Sequence, residues 1–240
     1  MLRLLRRIRH SLIGSGHTRK YILYGAGEIA LVVIGILIAL QINNWNEWRK
    51  DRVKEKNVLL ELKTTVQENI DHINWAIDNC RWINQASNSI ISTIESNSPY
   101  SDTLISHFEI STRSCTNFTL SRAGYVELMN TGFDILKTDS LKRKIISLFE
   151  TKALRTEQIL SSVSQSFEDH KYMTSIFVSD ANGWVPIAFD KLKKDQYYFS
   201  LTKKSLHQRT FITKVLQDYQ LELQNVNELI KEELGERAAE

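Results

Sequence analysis

The chain has 240 residues, 42% of them hydrophobic and 25% charged, which is the bulk composition of a folded protein. Its formal net charge of +3 is unevenly spread: residues 1–20 hold six of the 31 Lys and Arg and no acid, whereas from Asn44 onward there are 25 basic and 27 acidic side chains. A C-terminal part this close to neutral argues against nucleic acid as a partner, because phosphate binding needs concentrated positive charge.

Helix breakers are scarce and clustered. Five of the nine glycines fall in residues 14–35, none occurs between Gly35 and Gly124, and the only prolines are Pro99 and Pro186. The expected fold class is therefore all-α: one N-terminal transmembrane helix followed by an antiparallel helical bundle. Three segments follow, namely 1–20 as a basic cytoplasmic or interfacial segment, 21–43 as the span, and 44–240 as the bundle.

Residues 2–13, "LRLLRRIRHSLI", place Leu5, Ile8 and Leu12 on one helical face among arginines. An interfacial helix on an anionic leaflet and a solvated basic tail both fit that pattern. Residues 21–42 are then apolar except for Glu28 and Gln41. At ~1.5 Å per residue they reach about 33 Å, enough for a hydrocarbon core of ~30 Å. The polar flank "QINNWNEW" lacks the small-residue cleavage pattern of a signal peptide.

Glu28 lies only ~9 Å into the span, and this shallow depth favours snorkelling back toward Arg19 or Lys20. The alternative is a hydrogen bond across a helix–helix contact, for which Gly35 and Ala39 supply a small-xxx-small pair. Trp45 and Trp48 mark the far interface, where an amphipathic indole is stable. Residues 44–57 carry five cations (Arg49, Lys50, Arg52, Lys54, Lys56), so the flanking charge is nearly balanced. A short basic tail is difficult to translocate, which points to a cytoplasmic N-terminus and a C-terminal domain outside.

Residues 49–96 repeat with a period of seven. Leu59, Val66, Ile73, Cys80 and Ile94 form one row with Ser87 as its polar exception; Ile70, Ile77 and Ile91 form a second, interrupted by Asn84. This is the spacing of a coiled-coil or bundle helix, and it can be continuous with the span, bending if anywhere at Asn43-Asn44. Trp75 and Trp82 lie on another face and are expected to be covered by further helices. Cys80 and Cys115 permit one disulfide without demanding it, and a buried free thiol at Cys80 is the simpler expectation.

Pro99 ends this helix. A short helix is expected over 102–113, another over 120–130 capped by Gly132, and a third from a cap at Asp139 toward Met173, with Leu141, Ile145, Leu148, Leu160, Val163 and Phe167 as its stripe. Residues 177–200 read as a long irregular connection that admits a short hairpin. The last helix is expected over 201–234, with a stripe of Leu206, Ile212, Val215, Leu216, Tyr219, Leu223, Val226 and Ile230.

The stretch "GEIALVVIGILIALQINNWNEW" after a basic N-terminus resembles the opening of a large uncharacterised family of small bacterial single-span membrane proteins. The likeness is close over residues 19–50, and "LMNTGFDILKTDSLKRKIISLF" is similar to that family's later motif. The resemblance implies a bacterial inner-membrane protein with a periplasmic C-terminal domain. It implies no activity, so it assigns no catalytic or binding residue.

Chemistry-bearing motifs are missing from the sequence: the six histidines form no HxxxH or HExxH pair, and there is no CxxC, P-loop, G-x-S-x-G or G-x-G-x-x-G. Polar pairs such as Asp169-His170 fit a solvated face. No enzyme activity, cofactor or metal is expected. The leading expectation is a membrane-anchored, non-enzymatic interaction or scaffold protein, with the lipid bilayer and an envelope protein or a second copy as partners. The alternative is a sensor-like bundle that binds a small ligand. Trp75, Trp82, Trp184, Tyr197 and Tyr198 are the candidates for a partner or ligand surface.

Overall fold

With no glycine between Gly35 and Gly124 and no proline before Pro99, no breaker residue interrupts a helix between Gly35 and Pro99. In the computed structural model, which describes residues 18–116, 119–164 and 170–235, helix α1 runs unbroken from Thr18 to Glu95. The Asn43-Asn44 pair interrupts nothing. Residues 1–17, and with them the expected interfacial face of Leu5, Ile8 and Leu12, lie outside the described residues. The chain divides into two units, residues 1–54 and 55–240.

Helix α1 ends before Pro99 by a built stop. Asn97 takes a left-handed backbone (φ 50°), its N–H donates to Ile94 O, and Ser98 N–H donates to Thr93 O. Those two bonds satisfy carbonyls that the helix end would orphan. Pro99 then only prevents continuation.

After this turn come α2 (Leu104–Ile110), α3 (Ala123–Thr131), a 3-10 turn (Phe133–Ile135), α4 (Asp139–Ile146), a π-helical stretch (Ser147–Lys152) and α5 (Ala153–Ser164). The later elements are α6 (His170–Ile176), strands β1 (Phe177–Asp180) and β2 (Gly183–Pro186), α7 (Phe189–Leu192) and α8 (Gln196–Leu234). The two strands pair antiparallel, Phe177 opposite Pro186 and Asp180 opposite Gly183, which leaves Ala181-Asn182 as the turn. The 177–200 connection is thus half ordered, and α8 begins five residues earlier than the periodicity suggests. Asp195 explains that early start, because its carboxylate accepts the N–H groups of Tyr197 and Tyr198.

The bundle is organised by α1 and α8. Buried positions on α1 fall at Glu55, Leu59, Leu62, Val66, Asn69, Ile73, Ala76, Cys80, Ile83, Ser87 and Ile90, in alternating steps of four and three. On α8 the same alternation runs through Tyr198, Thr202, Ser205, Arg209, Ile212, Leu216, Tyr219, Leu223, Val226 and Ile230. Cross-links fix the direction: Lys203 meets Glu95, Arg209 meets Asn84 and Ser87, Gln220 meets Asn74, and Asn227 meets Gln67. As one chain number rises the other falls, so the pair is antiparallel with a 3.5-residue repeat.

Two sequence expectations shift here. The first heptad row on α1 is central, but the second is Leu62, Asn69, Ala76, Ile83 and Ile90; Ile70, Ile77 and Ile91 are buried beside it rather than on it. On α8, Leu206 and Val215 are only half-buried, while Ser205 and Arg209 hold the central positions.

Helix α4 begins at Asp139 but is not capped by it: Thr138 precedes the helix, makes no side-chain cap, and donates its hydroxyl to Glu233 at 2.7 Å. The helix then winds into the π segment, which brings the consecutive residues Leu148 and Phe149 both into the core, Phe149 stacked on Tyr125 at 4.8 Å. That extra residue re-phases the stripe so that Ala153, Thr156 and Leu160 stay buried. Residues 165–169, including Phe167 and Asp169 of the expected stripe and polar pair, lie outside the described residues.

Polar residues on the buried face of α1 hold the connecting segments. Asn69 exchanges two hydrogen bonds with the backbone of Ser121 (2.9 and 2.7 Å), Thr65 Oγ1 accepts Gly124 N–H (2.9 Å), and Glu55 accepts Lys137 N–H (3.2 Å). The start of α3, which has no capping side chain of its own, is therefore served from α1. Gly124 makes this approach possible: a Cβ there would lie 2.7 Å from Glu61 O and from Leu62 Cα. Alanine at a helical glycine ordinarily gains about 1 kcal/mol. Here the clash is with backbone that cannot yield, so Gly124→Ala should instead lose roughly 1–3 kcal/mol in a thermal or denaturant melt. A stabilised variant would refute the close crossing.

Candidate functional site

The first unit presents α1 alone. Its most apolar 18-residue stretch has a mean hydropathy of 2.2 and none of it is buried in protein, so by length and composition it is a helix able to cross a membrane. Glu28, Gly35 and Ala39 are exposed on it, and a Cβ at Gly35 would meet nothing within 4 Å. The side chains of Arg19 and Lys20, toward which Glu28 was expected to snorkel, lie outside the described residues. Trp45 and Trp48 stand exposed at the end of the apolar stretch, and the Arg49 guanidinium lies over the Trp45 ring at 5.8 Å.

The other aromatic candidates do not meet at one place. Trp75 is 54% and Trp82 43% exposed, on the face of α1 opposite Ile73, Ala76, Cys80 and Ile83. This corrects the expectation that other helices cover them, because both rings stay largely exposed. Trp82 carries Arg113 over its ring at 5.7 Å.

Tyr198 is 1% exposed and belongs to a second apolar cluster with Ile90, Leu104, Phe108, Met173, Phe177 and Leu192. It therefore offers no surface. Trp184 leans on Phe177 at 5.8 Å, half-buried, and Tyr197 sits edge-on to Tyr172 at 4.6 Å. This cluster meets α1 at Ile90, which is ~22 Å along the helix from Trp75. The hairpin reaches it because Gly183 (φ 135°) lets β2 touch α2, where a Cβ would lie 2.7 Å from Ile105 O.

At the edge of this cluster Tyr172 Oη donates to Asp195 Oδ2 at 2.8 Å. Burial pushes the Asp195 carboxyl up, but the bonds from Tyr172, Tyr198 and Tyr197 outweigh it and hold its pKa below the ordinary 3.8. A depressed carboxyl contributes stability that is present above its unfolded pKa and is lost as pH falls through the folded one. In an NMR titration Asp195 should protonate below 3.8 and move upward in Tyr172→Phe. Titration at or above that value in the unaltered protein would show that the cap bonds are weak.

The seam between α1 and α8 holds a group that the periodicity concealed. Arg209 is 1% exposed; its Nε donates to Asn84 Oδ1 (2.9 Å), Nη2 to Ser87 Oγ (2.6 Å) and Nη1 to Ser111 O (3.1 Å). Burial lowers its pKa to about 10, so it stays charged at neutral pH. Asn84 and Ser87 are the two polar interruptions of the heptad rows, and both serve this guanidinium. The signal was available in α8, where Arg209 stands four residues after Ser205 and three before Ile212, a central position in the repeat. Beside the network the seam opens into a groove of about 810 Å³ between residues of α1 and α8.

Cys80 and Cys115 are joined by a disulfide, Cα–Cα 4.9 Å, and both are buried. The buried free thiol expected at Cys80 is thus replaced by a bond tying α1 to the segment before α3. Among the described residues no three or more His, Cys, Asp and Glu gather as a metal site. His10, His17 and the His170 side chain lie outside the described residues.

A protein-family model whose description is a family of unknown function matches residues 28–159, more than half of the chain. No curated protein and no solved structure matches.

Proposed function

The chain belongs to the Family of unknown function (DUF6090), and from that premise we propose that it is a single-pass membrane anchor presenting a non-enzymatic, partner-binding helical bundle in the bacterial envelope. The bundle faces the periplasm and the basic N-terminus the cytoplasm. The observation that carries the orientation is the Cys80–Cys115 disulfide in the second unit. Such bonds form and persist in oxidising compartments and are rare in the cytosol. The near balance of flanking Lys and Arg decides nothing by itself, so the disulfide breaks the tie. In favour of an interaction role, the polar side chains on the buried face of α1 accept or donate hydrogen bonds within the fold, which leaves them to structure rather than to chemistry.

An affinity tag placed after Glu240 tests the orientation. Protease added to intact spheroplasts should remove it, and alkylation of unreduced protein should find no reactive thiol. A protected tag together with two free thiols would put the bundle in the cytoplasm and overturn the proposal.

A further inference from the structure

The second unit begins at Glu55, seven residues beyond Trp48. The two residues therefore stand no more than ~25 Å apart, whatever path the chain takes between them. With Trp48 at the lipid interface, the end of the bundle that holds Glu55 is tethered within reach of headgroups.

Two bonds bring the α3–α4 connection to this end. Lys137 N–H donates to Glu55 Oε1 at 3.2 Å, and the Thr138 hydroxyl donates to Glu233 Oε2 at 2.7 Å. Arg143 and Lys144 follow within ~9 Å of Thr138 along α4. Both are exposed, while Leu141 and Ile145 take the buried face of that helix.

Acids and cations at this end differ in what holds them. Glu55 and Glu233 are engaged by the two bonds above. Asp134 pairs with Lys142 at 3.1 Å, and Glu228 pairs with Lys231 at 2.8 Å. Asp139 sits in the first turn of α4, where an acid offsets the helix dipole. Exposed Lys56, Arg143 and Lys144, by contrast, have no ion pair or hydrogen bond among the described residues. The fold thus occupies its acids here and leaves three cations over. Exposed Met129, in the last turn of α3, adds an apolar side chain beside the same connection.

Unpaired cations with an apolar neighbour complement an anionic lipid surface, whose potential attracts Lys and Arg across about 10 Å, the Debye length. An acidic soluble protein would meet the same cations only on encounter, whereas the tether keeps the bilayer present at high effective concentration. We propose that this end of the bundle docks, through Lys56, Arg143 and Lys144, on anionic phospholipid headgroups of the leaflet from which α1 emerges. The proposal rests on the membrane span of the reading above and not on its orientation.

The test uses the full chain, labelled with a fluorophore at Ser140→Cys, in nanodiscs whose headgroups carry a nitroxide quencher. Discs of phosphatidylcholine are compared with discs that contain phosphatidylglycerol. The docked-to-undocked ratio read from quenching should be at least about fivefold higher in the anionic discs, the factor that one cation near such a surface supplies. It should fall back at high salt. Arg143→Glu together with Lys144→Glu should abolish the rise with the thermal midpoint retained. Lys56→Glu, on a different element, supplies a separate reading if that pair misfolds. Equal quenching in the two lipids, or a rise that survives these substitutions, would overturn the proposal. A chain that never enters the discs would remove the span itself, whereas the spheroplast experiment reports orientation alone, so the two proposals fail separately.

Discussion

Arg209→Leu should destabilise the second unit by about 2–4 kcal/mol, because it takes the donor from neutral acceptors of which two sit on buried residues. The side chain has three acceptors, Asn84 Oδ1, Ser87 Oγ and Ser111 O, and leucine removes the donor from all three, two of them on buried residues. For a unit of this size the melting temperature should fall by roughly 10 °C. Arg209→Lys should rescue little, because an ammonium on a flexible stem cannot reproduce a planar fork that meets three acceptors at once. The informative comparison is the triple variant Asn84→Leu, Ser87→Ala, Arg209→Leu. It removes both side-chain acceptors with the donor and should recover much of the loss, since apolar replacement of a whole buried polar network is often neutral. Circular dichroism melts of the four proteins decide the matter. A single variant as stable as the unaltered chain would show that the network contributes nothing.

Reducing the disulfide, or replacing both cysteines with alanine, should cost roughly 4 kcal/mol. The bond closes a loop across a sequence separation of 35, and restricting such a loop in the unfolded chain accounts for a loss of about that size. Both sulfurs are buried. A mild reductant should therefore act slowly on the native protein and quickly once urea begins to open it. Denaturant midpoints with and without reductant provide the check, and coincident curves would sink the prediction.

Much of this architecture is legible in the sequence because one rule dominates: where breakers are absent and apolar residues recur at 3.5 to 3.6, a packed helix follows. Residues 55–95 obey it, and so does α8. The errors come where a different physical rule takes over. Trp75 and Trp82, off the heptad rows, are expected to be covered by further helices, yet α1 has one buried stripe and theirs is the opposite face. Tyr198 is a surface candidate in the sequence because it falls in the long 177–200 connection, yet Asp195 starts α8 early enough to bring it onto the buried stripe. Arg209 escapes notice despite its central place in the repeat, because hydropathy places arginine outside and its three partners lie on other segments. The disulfide depends on a distance between segments that spacing along the chain does not encode.

The arginine also settles a question that apolar packing leaves open. An apolar ladder repeating every seven residues fits its neighbour almost equally well after a slide of one repeat, ~10.5 Å along the axis. Slid one way, Arg209 would face Ile77 and Cys80; slid the other, Ile91 and Ile94, and neither place offers an acceptor side chain. Only one alignment puts the guanidinium between Asn84 and Ser87, so the ladder becomes single-valued. The apolar triple variant that regains stability should therefore lose this uniqueness. Its NMR spectrum should show doubled or broadened signals along α8, where the unaltered protein shows one set.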